Sequence, residues 1–140
     1  FIGWEISCLG RPASGEYFSQ GKLDQRFEVW RDGRPLRVER LWLKGDDPAL
    51  KAKWGLQGFP VIGSMVCVTN KTELVDSLRK ITISSNTQEL FSVTQTDGII
   101  ICSFLGTSVE RARSYFIDVW KILRKQVIGL ESIEPRIWKT

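Results

Sequence analysis

Two Asp-Gly pairs, Asp32-Gly33 and Asp97-Gly98, each stand between two runs of strand-forming residues. This constrains the fold more than any other feature, because Asp-Gly supplies both positive-φ positions of a tight hairpin turn. Around the first pair, residues 22–31 alternate, with Leu23, Gln25, Phe27 and Val29 against Asp24, Arg26, Glu28 and Trp30. Residues 36–43 set Leu36, Val38, Arg40 and Trp42 against Arg37, Glu39, Leu41 and Leu43. This second strand carries apolar residues on both faces near its end, which predicts that other parts of the protein cover it. Around the second pair, residues 89–95 and 99–105 predict another hairpin. Its second strand, 99–105, is almost continuously apolar and reads as a central strand.

The remaining segments are shorter signals. Residues 1–9 are largely apolar and fit either a strand or a short helix. Arg11-Pro12 ends that element, since the residue before proline avoids helical angles, and Ala13-Ser14-Gly15 continues as loop. Residues 44–60 read as a long loop with one helical turn at 48–54. Residues 62–69 predict a short strand. Asn70, with Glu73 three residues on, predicts a helix start, with Leu74, Val75, Leu78 and Ile81 on its apolar face. Thr107-Ser108-Val109-Glu110 reads as a capping box that opens a longer helix. That helix carries Val109, Ala112, Phe116, Val119, Trp120, Leu123 and Val127 at three- and four-residue spacing, and Gly129 predicts its end. Residues 130–140 read as an extended tail containing Pro135. The sum is a β-rich α+β fold of antiparallel hairpins with two helices. It forms one domain or a large piece of one, and Phe1 already lies inside apolar sequence, as expected for an excised or processed chain or for part of a longer protein.

Composition limits the chemistry. The chain has no histidine, which removes the commonest general base and the commonest transition-metal ligand. Its three cysteines, Cys8, Cys67 and Cys102, have no paired spacing, so each reads as a small buried hydrophobe in a reducing compartment. A net charge of +4 is spread among interleaved acids and bases without a Lys/Arg block, which argues against nucleic acid. No apolar run approaches the ~18 residues of a spanning helix, and no secretory signal pattern is present. The expected setting is the cytoplasm. The adjacent acids Asp46-Asp47 read as a solvated loop. Glu5, Glu16 and Glu39 stand beside apolar residues and fit either acid–base work or ion pairs, Glu39 with Arg37 or Arg40 and Glu16 with Arg11. Six tryptophans suit cores and protein interfaces.

Four stretches in order carry a resemblance. They are Gly3-Trp4-Glu5-Ile6-Ser7-Cys8-Leu9-Gly10-Arg11-Pro12-Ala13-Ser14-Gly15-Glu16, then Glu28-Val29-Trp30-Arg31-Asp32-Gly33-Arg34-Pro35-Leu36, then Val38-Glu39-Arg40-Leu41, and finally Pro135-Arg136-Ile137-Trp138-Lys139-Thr140. The chain resembles the C-terminal half of the urease accessory protein D family, UreD (also UreH). The likeness is strongest over 3–43, moderate over 90–105, strong again over 135–140 and weak over 44–88. The family's N-terminal half, with its Gly-Gly-Asp motif, has no counterpart in these residues. The resemblance implies strands stacked in a helical β architecture with two helices, residues 1–140 being the C-terminal part of a single UreD-like domain.

The same resemblance implies a function: a non-enzymatic maturation factor that works with the all-helical UreF and the GTPase UreG to insert nickel into apo-urease. It further implies a dimeric UreD–UreF–UreG assembly, no tightly bound cofactor, and nickel(II) in transit through a water-filled internal passage. Glu5 and Glu39 fall on family acids and are the implied passage-lining residues. Arg11, Glu16 and Arg40 match neighbouring motif positions and are expected to fix those two acids through ion pairs. The helix at 108–127 and the tail supply the implied partner contacts, Trp120, Arg136 and Trp138. The alternative is a plain docking scaffold with no role in nickel handling. An enzyme would need a nucleophile–base pair that the residues do not provide.

Overall fold

The computed structural model describes residues 1–81 and 88–139; Thr140, the last residue of the Pro135 signature, lies outside them. The strands and helices run in the order β1 (Ile2–Cys8), β2 (Gly10–Arg11), β3 (Glu16–Tyr17), β4 (Lys22–Arg31), β5 (Arg34–Lys44), β6 (Val61–Val68), α1 (Leu74–Arg79), β7 (Leu90–Thr96), β8 (Ile99–Gly106) and α2 (Val109–Leu123). The fold is the strand-rich, antiparallel α+β fold that the alternating runs predict. Asp32 and Gly33 both have positive φ, as do Asp97 and Gly98, and each pair turns one predicted hairpin.

A four-stranded antiparallel sheet in the order β1-β6-β8-β7 forms the centre. The apolar run at 99–105 is therefore an inner strand, as expected. Residues 1–9 form a strand and not a helix, because Ile2, Trp4 and Ile6 alternate onto one face while the backbone pairs along the whole of β6. On that face Val61, Met65, Ile100, Cys102 and Phe104 pack against α1 and α2. The opposite face presents Val66, Ile99 and Ile101, which the β4–β5 hairpin covers with Val29, Phe27 and Leu36. Pairing in the hairpin jumps from Val29–Arg37 to Trp30–Pro35. Leu36 is left unpaired by this bulge and turns inward, leaving the row of Val38 and Trp42 with which it alternates. Within this chain the hairpin's outer face stays open, with Trp30, Val38 and Trp42 about half exposed.

Several local expectations shift. The cap of α2 lies one residue later than predicted: Ser108 is extended and its Oγ accepts from the Arg111 amide at 3.2 Å, which places Glu110 in the first turn. Hydrogen bonds from its own backbone amide and from Ser108 Oγ hold the Glu110 carboxyl below the usual range. Asn70 does not cap α1. Glu73 stands at that position, already helical, and the local bond runs from the Lys71 amide to Thr69 Oγ1. The loop at 44–60 holds one 3-10 turn, Pro48–Leu50, started by Asp47 accepting from the Ala49 amide. The final turn of α2 widens to a π-helix over Arg124–Ile128, and Gly129 ends it in the left-handed conformation. The tail is not extended. It folds into a 3-10 turn, Arg136–Lys139, that seats Trp138 against Trp4 and Trp120 at ring distances of 5.4 and 5.3 Å.

Cysteine environments divide two ways. Cys67 and Cys102 are buried beneath the helices, and loss of hydration pushes their thiols up to about 11 and about 12. Cys8 is exposed, against the expectation of a buried thiol, because β1 ends there at the sheet margin. The thiolate is the reactive form. At pH 8, maleimide is expected to modify Cys8 more than about a hundredfold faster than the other two, which react once denaturant opens the sheet. Peptide mapping by mass spectrometry reads the order.

Candidate functional site

One row of side chains crosses the hairpin-facing side of the sheet at a single register. Glu5 of β1 pairs with Ser64 of β6, Ser64 with Ser103 of β8, and Ser103 with Ser92 of β7. Directly paired residues of antiparallel strands share a face, so one carboxylate and three hydroxyls form a polar stripe between apolar rows. The hairpin's inner row, Gln25, Phe27, Glu39 and Leu41, lies over it. Two bonds join the layers: Ser7 Oγ donates to Gln25 Oε1 at 3.0 Å, and Ser64 Oγ donates to Glu39 Oε2 at 3.5 Å.

Between the layers is a cleft of about 130 Å³ lined by Glu5, Ser7, Gln25, Phe27, Glu39, Arg40, Leu41, Ile62 and Ser64. A water needs roughly 10–15 Å³ measured this way, so the cleft has room for several. A second cleft of about 400 Å³ adjoins it along the stripe, sharing Glu39, Ile62 and Ser64 and continuing to Ser92 and Ser103. Both implied passage acids thus face one cavity from opposite layers, with Ser64 between them.

Their surroundings contain the ion pairs read from the residues, Glu16 with Arg11 and Glu39 with Arg37, but not the support that the resemblance implies from Arg11, Glu16 and Arg40. Arg11 and Glu16 bond each other across β2–β3, Arg11 Nε to Glu16 Oε2 at 2.7 Å, and both are exposed. Arg40 forks onto Asp24 across the hairpin's outer face, at 2.9 and 2.7 Å, and holds the Asp24 carboxyl below its usual range. None of these three reaches Glu5 or Glu39. The cause is geometric: Arg40 follows Glu39 on one strand, so the two point to opposite faces. Arg37, two residues before Glu39, shares its face. Its Nε donates to Oε2 at 3.1 Å and its Nη2 lies 2.8 Å from Oε1. Among the described residues the Glu5 carboxylate has neither a hydrogen bond nor an ion pair.

The partner-contact candidates cluster in part. Trp120 is 8% exposed and Trp138 half-buried, and with Trp4 they form one aromatic group that fastens the tail to α2 and β1. Arg113 completes it, donating to the Trp138 carbonyl at 2.7 Å. Of the three, only Arg136 is exposed. Among the described residues no group of three or more Cys, Asp or Glu side chains could hold a metal ion, and no helix is long and apolar enough to cross a membrane.

Sequence reasoning missed Ser7, Gln25, Ser64, Ser92 and Ser103. A signal existed for two of them, because Ser64 and Ser103 interrupt otherwise apolar inner strands.

Comparison with known proteins bears on the whole chain. The family model described as UreD urease accessory protein matches residues 1–139. The urease accessory protein UreD of Trichormus variabilis is 37% identical over 142 residues, covering 100% of this chain and 50% of the relative. That of Alcanivorax borkumensis is 39% identical over 141 residues, covering 100% and 47%. That of Dechloromonas aromatica is 38% identical over 145 residues, covering 100% and 50%. The chain therefore spans about half the length of the curated relatives it matches. With the family match running to the penultimate residue and relatives 37% and 39% identical across the whole chain, the chain belongs to the UreD family of urease accessory proteins.

Proposed function

We propose that this chain is part of a urease maturation factor: a non-enzymatic chaperone that docks on apo-urease with UreF and, through UreF, with the GTPase UreG. Residues 1–140 are then the C-terminal part of one UreD-type domain, working in the cytoplasm within a dimeric UreD–UreF–UreG assembly. Its task at the molecular level is to pass nickel(II) through a polar internal passage. The observation that carries this, beside family membership, is the meeting of Glu5 and Glu39 at one cavity across Ser64.

The chemistry of the lining suits a cargo in transit. Carboxylate, amide and hydroxyl oxygens hold a hydrated divalent cation weakly, whereas imidazole and thiolate would bind it for long periods. The buried thiols of Cys67 and Cys102 lie on the other side of the sheet. Glu5, whose carboxylate has no partner among the described residues, offers the cation a free charge, and the serine stripe extends oxygen ligands toward the second cleft.

Glu39→Gln keeps the shape and most of the hydrogen bonding but removes the charge. Nickel-dependent urease activation is expected to fall about tenfold, which corresponds to the loss of roughly 1.4 kcal/mol of attraction. Co-purification of the variant with UreF is expected to be unchanged. A purely structural scaffold is favoured by one observation, the fork of Arg37 on Glu39, which is the form a structural ion pair takes. In that case Glu39→Gln leaves activation at its native level and the cation passage is refuted.

A further inference from the structure

We infer that Arg37 sets how tightly this cavity holds a divalent cation, and that it weakens the hold so that the cation can leave. This rests on the cation passage proposed above and adds to it the residue that tunes affinity. The first observation is charge. Glu5 and Glu39 bring −2 to the cavity, Arg37 returns +1, and Arg40 is already neutralised by Asp24, so the site faces its cargo with −1 instead of −2.

The second observation is geometry. Arg37 does not line the cavity; it grips Glu39 from behind, along the same face of β5. Both carboxylate oxygens are engaged by the guanidinium fork, at 3.1 and 2.8 Å, and Oε2 also accepts from Ser64. A cation arriving from the cavity side uses lone pairs that remain on those oxygens and meets the guanidinium charge one carboxylate away. At that separation a like charge costs a divalent ion binding energy even with strong solvent screening. Arg37 is itself held in place, its side chain 21% exposed and its β4 neighbour the buried Val29. It therefore cannot drift into solvent as a surface arginine does. A guanidinium keeps its charge at every physiological pH, so the weakening is permanent and not a pH switch.

The test uses the full natural chain and Ni²⁺ alone, with affinity measured by equilibrium dialysis and urease activation measured in parallel. Arg37→Gln is expected to tighten Ni²⁺ binding at least about tenfold while lowering activation, because the ion is held and not passed on. Arg37→Lys keeps the charge and is expected to stay within about threefold of native affinity. Glu39→Gln lowers binding and activation together. If Arg37→Gln binds as the native chain does while Glu39→Gln binds less, Arg37 has only a structural part and the inference fails, though the passage stands. If Arg37→Lys tightens as much as Arg37→Gln, lost fork geometry and not charge is responsible, and the inference again fails. If neither the native chain nor Arg37→Gln binds Ni²⁺, the passage itself fails and takes the inference with it.

Discussion

Phe116→Ala is expected to lower the unfolding free energy by about 3–5 kcal/mol, enough to unfold a marginal domain. Phe116 is fully buried and lies at the centre of the helix-facing core. Its ring occupies a notch that only glycine leaves open: a Cβ at Gly63 would come within 2.7 Å of Phe116 Cε2. Truncation therefore empties space above Gly63, a position with no side chain of its own to fill it. A cavity that cannot collapse sits at the costly end of the large-to-small series. Urea titration followed by tryptophan fluorescence measures the loss, with Trp4 and Trp120 beside the same core as reporters. A cost under ~1 kcal/mol would mean that α2 does not depend on this contact.

Gly45→Ala is expected to cost about 3 kcal/mol, at the upper end for overpacking. A Cβ at this position would run into the backbone of Ser19 and Gln20, and backbone cannot rotate away as a side chain can. Gly45 closes the base of the β4–β5 hairpin, its amide donating to the Gly21 carbonyl at 3.2 Å. The substitution should therefore loosen the hairpin where it begins, next to the Lys22–Lys44 pair. Hydrogen exchange should speed up in β4 and β5 before it does in β6 and β8. Because the hairpin roofs the Glu5–Glu39 cavity, activation should fall together with stability. Uniform exchange across all strands would place the strain elsewhere.

Much of the fold can be read from the residues because its signals are local. Each Asp-Gly pair turns its chain within two residues, and the alternation in residues 22–31 states which face of β4 goes inward. Gly129 stops α2 by its own conformational freedom. The errors are also local in origin. Thr107 and Ser108 are both competent caps, and what decided between them is where the chain leaves β8 at Gly106. Residues 130–140, with Pro135, predict an extended tail. It folds because Trp138 finds two other tryptophans that are distant in sequence.

The candidate site was only half legible. Family motif positions single out Glu5 and Glu39, and the residues alone offer Glu39 either Arg37 or Arg40; the structure takes Arg37, because sequence proximity is not face proximity. Arg40 is adjacent to Glu39 in the chain and on the other side of the strand; Arg37 is two residues away and on the same side. The two hairpins, their turns, the helix faces and the absence of imidazole chemistry follow from the residues alone, since each depends on neighbours a few positions apart. The serine stripe and the cavity arise only when β1, β6, β8 and β7 pair in one register and the hairpin settles over them. A register is an agreement among strands far apart in sequence, and no single strand carries it.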